Sequence, residues 1–112
     1  MNKPVLHHYT SAAGRAGILA TKSIHPSTKA HNPKDARFGD GQYLTDIEPG
    51  TKRLGQLSRI FLGIPWGGKR FTDYVSIRTG SLNVIFCRAA VFVIPNSRPL
   101  DISDRLVADG KN

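Results

Sequence analysis

An α+β fold follows from three features of this 112-residue chain. Two stretches carry helical spacing, about six short runs carry strand character, and the two kinds do not alternate in the βαβ manner that builds a parallel sheet. The chain is expected to form one domain over residues 1–112, long enough for a single core and too short for a separate cofactor domain.

The run Val5 to Ser11, VLHHYTS, alternates Val5, His7 and Tyr9 against Leu6, His8 and Thr10, which predicts a strand with neighbouring histidines on opposite faces. Ser11 is placed to cap a helix over Ala12–Thr21. Gly14 and Gly17 each cost that helix on the order of 1 kcal/mol relative to Ala, so they predict close packing against a sheet. Ser23 to Pro26 reads as a brief strand ended by proline, and Ser27 to Arg37 as a polar surface loop. Gly39 and Gly41 then bracket a tight turn, and QYLTDI sets Gln42, Leu44 and Asp46 against Tyr43, Thr45 and Ile47. A ring is delivered at the mouth of a strand.

Thr51 is expected to cap a second helix reaching about Leu62, with Leu54, Leu57 and Phe61 facing the core and Gly63 and Pro65 stopping it. The loop Gly63 to Arg70 carries the only tryptophan, Trp66, which can cover a stacked aromatic ring of a small ligand and is read first as an anchor at the edge of the core. Phe71 to Arg78 alternates as a half-buried strand should. Leu82 to Cys87 and Ala90 to Pro95 are near-continuous apolar runs, read as buried central strands with a bulge or bend at Arg88. After a turn at Asn96 to Pro99, Leu100 to Ala108 is expected to give a short helical turn and a final edge strand.

Sixteen Lys and Arg against eight Asp and Glu give a net charge of +8, which attracts polyanions and steers anionic small ligands. The cations are scattered rather than blocked, so a solvated face around a dinucleotide pocket and an RNA or DNA partner both remain open. Cys87 stands alone, which excludes a disulfide scaffold and predicts a buried small hydrophobe. The N-terminal residues have no apolar segment before a cleavage site, so no signal peptide and no membrane span are expected, and the chain is read as cytoplasmic or delivered into a target cell. His7 and His8 diverge, and His25 and His31 lack partners at ligand spacing, so no metal is expected. Kinase, esterase and thiol-protease signatures are missing from the sequence.

Taken together, LHHYTSAAGRAGILATKSIHPS, DARFGDGQYLTDI and VFVIPNSRPLDIS resemble the His-Tyr-Asp (HYD1-like) clade of ADP-ribosyltransferases, within the diphtheria-toxin and poly-ADP-ribose polymerase superfamily. Members occur as toxin domains of bacterial polymorphic secretion systems and in some fungal proteins. The resemblance covers nearly the whole chain. It implies a split β-sheet core with two helices, and an enzyme that cleaves the nicotinamide–ribose bond of NAD and passes ADP-ribose to a protein or nucleic-acid acceptor. It also implies an immunity protein that plugs the pocket. A monomer is expected, with NAD as substrate and no metal.

Such cleavage leaves positive charge on the ribose, as in glycoside hydrolysis, and needs a held ribose, a ring to fix nicotinamide, and negative charge nearby. By resemblance His8 bonds the ribose 2′-OH, Thr10 and Ser11 reach ribose or phosphate, Gly41 lets the backbone approach the ligand, and Tyr43 stacks on nicotinamide. The acid is open between Asp101, Asp46 and Asp73, in that order of preference. Relatives often carry an acid in the strand matched by YVSIR, where this chain has Ser76 and Arg78. Water as acceptor would make the chain an NAD glycohydrolase. A non-catalytic nucleic-acid-binding module and a small basic ribonuclease using His8 are the readings from other classes.

Overall fold

Strand β1 (Val5–Thr10) is the seam between two sheets, in a computed structural model that describes residues 4–31, 33 and 36–112. On one side it pairs antiparallel with β4 (Asp73–Arg78), which pairs in turn with the C-terminal β8 (Leu106–Lys111). A second sheet has the order β3 (Gly41–Leu44), β6 (Val91–Pro95), β5 (Ile85–Arg88). The two-residue strands β2 (Ser23–Ile24) and β7 (Leu100–Asp101) form a small ladder of their own. Among the described residues two α-helices, α1 (Ala12–Thr21) and α2 (Leu54–Leu62), complete this α+β fold.

The sheets meet at one point. His7 N–H donates to the Thr45 carbonyl at 2.8 Å and Thr45 N–H returns a bond to His7 at 2.8 Å, an isolated antiparallel bridge. Beyond it no ladder continues between β1 and β3, so the sheet is split there. Both sides are held by a core of Leu6, Ile18, Ile24, Leu44, Val75, Ile77, Phe92, Ile94, Leu100 and Ile102. A second cluster of Tyr9, Leu57 and Phe71, with Phe61 and Tyr74 against it, fills the space between the split and α2.

Most elements stand where periodicity predicts them. Ser11 caps α1, its Oγ accepting from Gly14 N–H at 3.0 Å, which satisfies one of the free donors of a helix start. A Cβ on Gly14 would meet the Thr10 hydroxyl at 2.0 Å, so its close packing is against the end of β1. Nothing packs on Gly17, and the expected contact with a sheet does not form there.

Several expectations are corrected. Thr51 does not cap α2. Its hydroxyl donates to the Glu48 carbonyl at 2.6 Å and closes the preceding turn, so the helix starts at Leu54, with Arg53 N–H held by Gln56 Oε1 at 2.8 Å. Strand β5 is an edge rather than a centre, with Ile85 43% and Phe86 63% exposed, because an unbroken apolar run does not show how many neighbours a strand has. Strand β4 is central instead, and Val75, Ser76 and Ile77 are all buried. Gly68–Phe71 forms a 3-10 turn, where a loop and the start of a strand were expected. Leu100–Asp101 is a short strand, and a single turn after it leads into β8. Trp66 is 76% exposed and anchors no core edge. Cys87 is half-buried rather than buried. The bulge expected at Arg88 is present as a register shift between Phe86 and Arg88. The surface loop predicted over Ser27 to Arg37 lies partly outside the described residues, at 32, 34 and 35, while Ser27 itself bridges Gly41. The N-terminal reading also begins outside them, at 1–3.

Candidate active site

The split between β1 and β3 opens into a cavity of about 150 Å³. His8 and Tyr43 both line it, the first from β1 and the second from β3. They are also bonded to each other. If the antiparallel pairing at His7 and Thr45 continued, His8 would face Leu44; instead the backbones part, and the His8 ring spans the gap to the Tyr43 carbonyl at 2.9 Å. A carbonyl only accepts, so His8 Nδ1 carries the proton and Nε2 keeps a free lone pair. Burial pushes the His8 pKa below its ordinary value, opposed in part by the Tyr43 carbonyl, so the ring is neutral near pH 7.

Tyr43 is fixed at its far end. Its hydroxyl donates to the Gly39 carbonyl at 2.6 Å and accepts from Phe38 N–H at 2.9 Å. Gly39 adopts φ +108°, a conformation side chains rarely take, which lets the turn curl back over the phenol. The phenol hydroxyl is therefore used to hold the ring of a residue that lines the cavity. Burial raises its pKa, so it stays protonated.

The remaining predicted positions stand elsewhere. Thr10 sits at the end of β1 opposite Asp73, and Ser11 is engaged in capping; neither lines the cavity. Gly41 is buried against β6, where a Cβ would meet the Ile94 carbonyl oxygen at 2.3 Å, so glycine here lets two strands approach and does not front the cavity. Asp46 follows the lining residue Thr45 without lining the cavity itself. Asp73 is bonded by the Thr72 hydroxyl at 2.7 Å and by Arg15 at 3.1 Å, and both hold its carboxyl below the usual range. Asp101 borders a different depression with Arg78, Thr79 and Arg105. The Ser103 amide, 2.9 Å from it, and the Ser103 hydroxyl hold its pKa low. Among the described residues no carboxylate lines the cavity.

What lines it instead was only partly legible. Arg37 and Phe38 precede the Gly-x-Gly turn, Phe61 and Leu62 end α2, and Arg70 and Phe71 close the 3-10 turn. Arg88 reaches in from the bulge, one guanidinium nitrogen donating to the Ile60 carbonyl at 2.8 Å. Its buried Nε has no hydrogen-bond partner. The arginine-to-bulge signal at Arg88 was visible in sequence; its aim into the cavity was not.

His7 is structural. Its Nδ1 lies 2.6 Å from Ser76 Oγ on the neighbouring strand, and its Nε2 lies 3.6 Å from the exposed Glu48 carboxylate. Burial lowers its pKa against the opposing pull of Glu48. Ser76 of YVSIR is thus engaged with this histidine. Among the described residues no cluster of three His, Cys, Asp or Glu could hold a metal ion, and no helix is long and apolar enough to cross a membrane.

Comparison with known families adds one finding. The family model Tox-ART-HYD1, described as HYD1 signature containing ADP-ribosyltransferase, matches residues 6–106. No curated protein and no solved structure matches the chain. The match spans both strands whose histidine and tyrosine share the cavity, and the chain belongs to the HYD1-signature ADP-ribosyltransferases.

Proposed function

We propose that the chain cleaves NAD at the nicotinamide–ribose bond in the β1–β3 cavity and transfers the ADP-ribose to a macromolecule. The observation that carries this reading is that His8 and Tyr43 line one cavity, with the His8 ring held through Nδ1 to the Tyr43 backbone carbonyl so that Nε2 is left to accept. Tyr43 would stack on nicotinamide, and His8 Nε2 would accept from a ribose hydroxyl. At about 150 Å³ the cavity is smaller than the roughly 300–1,000 Å³ of sites that engulf a small molecule. It suits the nicotinamide ring, with the ribose at the mouth and the adenylate end over the rim.

Arg88 is the candidate partner of the pyrophosphate: it lines the cavity, and its tether to the end of α2 gives a fixed positive charge. Asp46, one residue from the lining Thr45, is the candidate carboxylate for the developing ribose cation; Asp101 borders the other depression. The bond broken is C1′ to the pyridinium nitrogen, and neutral nicotinamide departs.

Incubating the pure protein with adenylate-labelled NAD, with and without a cell lysate, tests the proposal. Nicotinamide release with label on macromolecules is the expected result. Free ADP-ribose alone would make the chain a glycohydrolase, and intact NAD in both arms would overturn NAD chemistry altogether.

A further inference from the structure

We infer that the acceptor is a nucleic-acid strand with unpaired bases, held across the mouth of the cavity by two lips that each join an exposed ring to a cation. This rests on the NAD reading above and names the substrate that reading leaves open. One lip is the turn before β3, where Arg37 and Phe38 line the cavity and Phe38 is 44% exposed. The other is the segment after α2. Its two ends, Leu62 and Arg70, line the cavity, and between them stand Trp66, 76% exposed, and the exposed Lys69.

That second lip is built rather than loose. Gly67 N–H donates to Ser58 Oγ at 2.8 Å, and the same hydroxyl donates to the Ile64 carbonyl, so a buried serine on α2 clamps both sides of Trp66. Gly67 and Gly68 approach α2 so closely that a Cβ on either would fall within 3 Å of Leu62 or Leu54. The indole is held out from the protein by a fixed backbone, against the cost of exposing the chain's largest apolar side chain.

Rings beside cations are what an unpaired strand requires: bases stack on aromatic faces and phosphates meet the guanidinium or ammonium groups. A basic protein side chain would be repelled by the same rim, in a chain of net charge +8 with no carboxylate lining the cavity among the described residues. The chemistry balances with a hydroxyl, phosphate or base amine of the strand as nucleophile. Its oxygen or nitrogen bonds ribose C1′, the C1′–nicotinamide bond breaks, nicotinamide leaves neutral, and the nucleophile's proton, where it has one, passes to solvent.

Trp66, as the only tryptophan, reports binding directly. Titrating the protein with 12-nucleotide oligouridylate and, separately, oligodeoxythymidylate should quench its fluorescence saturably. Contact of two phosphates with Arg37 and Lys69 predicts affinity roughly sevenfold weaker at 200 mM than at 50 mM salt. A blunt duplex of the same length should bind at least about tenfold more weakly, because its bases cannot stack on the rings. With labelled NAD, label should enter one or both oligonucleotides, the two arms telling RNA from DNA. Trp66→Ala with Lys69→Glu should cut that labelling roughly tenfold, with nicotinamide release in the absence of oligonucleotide retained, and Trp66→Phe should restore it.

Absence of quenching, equal binding of the duplex, or label confined to protein in a nuclease-treated lysate would overturn the nucleic-acid acceptor while nicotinamide release upheld the NAD reading. Quenching without any nicotinamide release would overturn the acceptor role by removing the reaction it belongs to, and with it the NAD reading.

Discussion

Two regions of this small protein treat charge in opposite ways. Along the β4–β8 side, Arg15 from α1 donates to Asp73 at 3.1 Å and to Asp109 at 2.9 and 3.1 Å, binding the helix to the central strand and the edge strand of that sheet. Across β1, the cavity gathers Arg37, Arg70 and Arg88 around a neutral His8 with no carboxylate among its described lining. The first region closes its charges on one another. The second brings Arg37 and Arg88 to a space with no carboxylate among its described lining, which is the condition of a site that awaits an anion. Carboxylates that look catalytic in sequence are in part the ones the fold consumes: Asp73 is the plain example.

Substitutions can break or sharpen that contrast. The largest effect is expected at the open region, where Tyr43→Ala should lower nicotinamide release by about 100-fold through loss of ring positioning. Tyr43→Phe should stay within about threefold, because the hydroxyl bonds only Phe38 and Gly39, and should cost roughly 1 kcal/mol in stability. Initial rates and denaturant titrations on both variants separate the two contributions. Equal losses for Phe and Ala would mean that the phenol, not the ring, acts on substrate.

In the closed region the outcome should invert. Arg15→Leu strands Asp73, which is 2% exposed, beside an unneutralised Asp109, so the melting temperature should fall clearly. Nicotinamide release per folded molecule at a permissive temperature should be kept. A variant that melts normally would show that these ion pairs add nothing to the fold.

Acid should weaken both function and fold through the histidines. His7 and His8 have pKa values below 6.5 in the folded chain, so between those lowered values and 6.5 the unfolded state binds more protons. Stability is therefore complete above pH 6.5 and is lost as pH falls through the folded values. Activity should fall over the same lower range as His8 Nε2 takes a proton and ceases to accept. Asp73 adds a separate loss at more acidic pH, below 3.8, since its folded pKa is depressed. Urea titrations and rate measurements from pH 4 to 8 would check the order; a rate that rises on acidification would contradict a neutral His8. The smallest effect is expected at Asp101→Asn, within about twofold on nicotinamide release, since Asp101 borders the other depression and is tied to its own turn. A large loss there would return it to the catalytic role that its sequence context suggests.

The strands and helices were largely legible because alternation and spacing are local: β1, α1 and β6 carry their patterns in consecutive residues. Pairing is not local. Nothing in the apolar run at Ile85 and Phe86 says that only one neighbour covers it, and nothing in STKAHNPKDARF says that Arg37 and Phe38 will overhang Tyr43. The two candidates embedded in strand motifs, His8 and Tyr43, were named from the sequence and line one cavity in the structure. Thr10, Ser11 and Gly41 were named for polar atoms or backbone freedom that the fold spends on capping and packing. Carboxylate roles were hardest to assign, because an aspartate's partner is set by distant residues such as Arg15, 58 positions from Asp73.

The lone bridge between His7 and Thr45 has a mechanical meaning. Two mutual amide bonds are all the ladder that ties one half of the protein to the other at the throat of the cavity, so that pair works as a stitch at the apex of a wedge-shaped opening. A dinucleotide lodged between the walls would brace them from within. Exchange of those two amides with deuterated solvent should then slow on ligand addition more than exchange at the interior of the β4–β8 ladder.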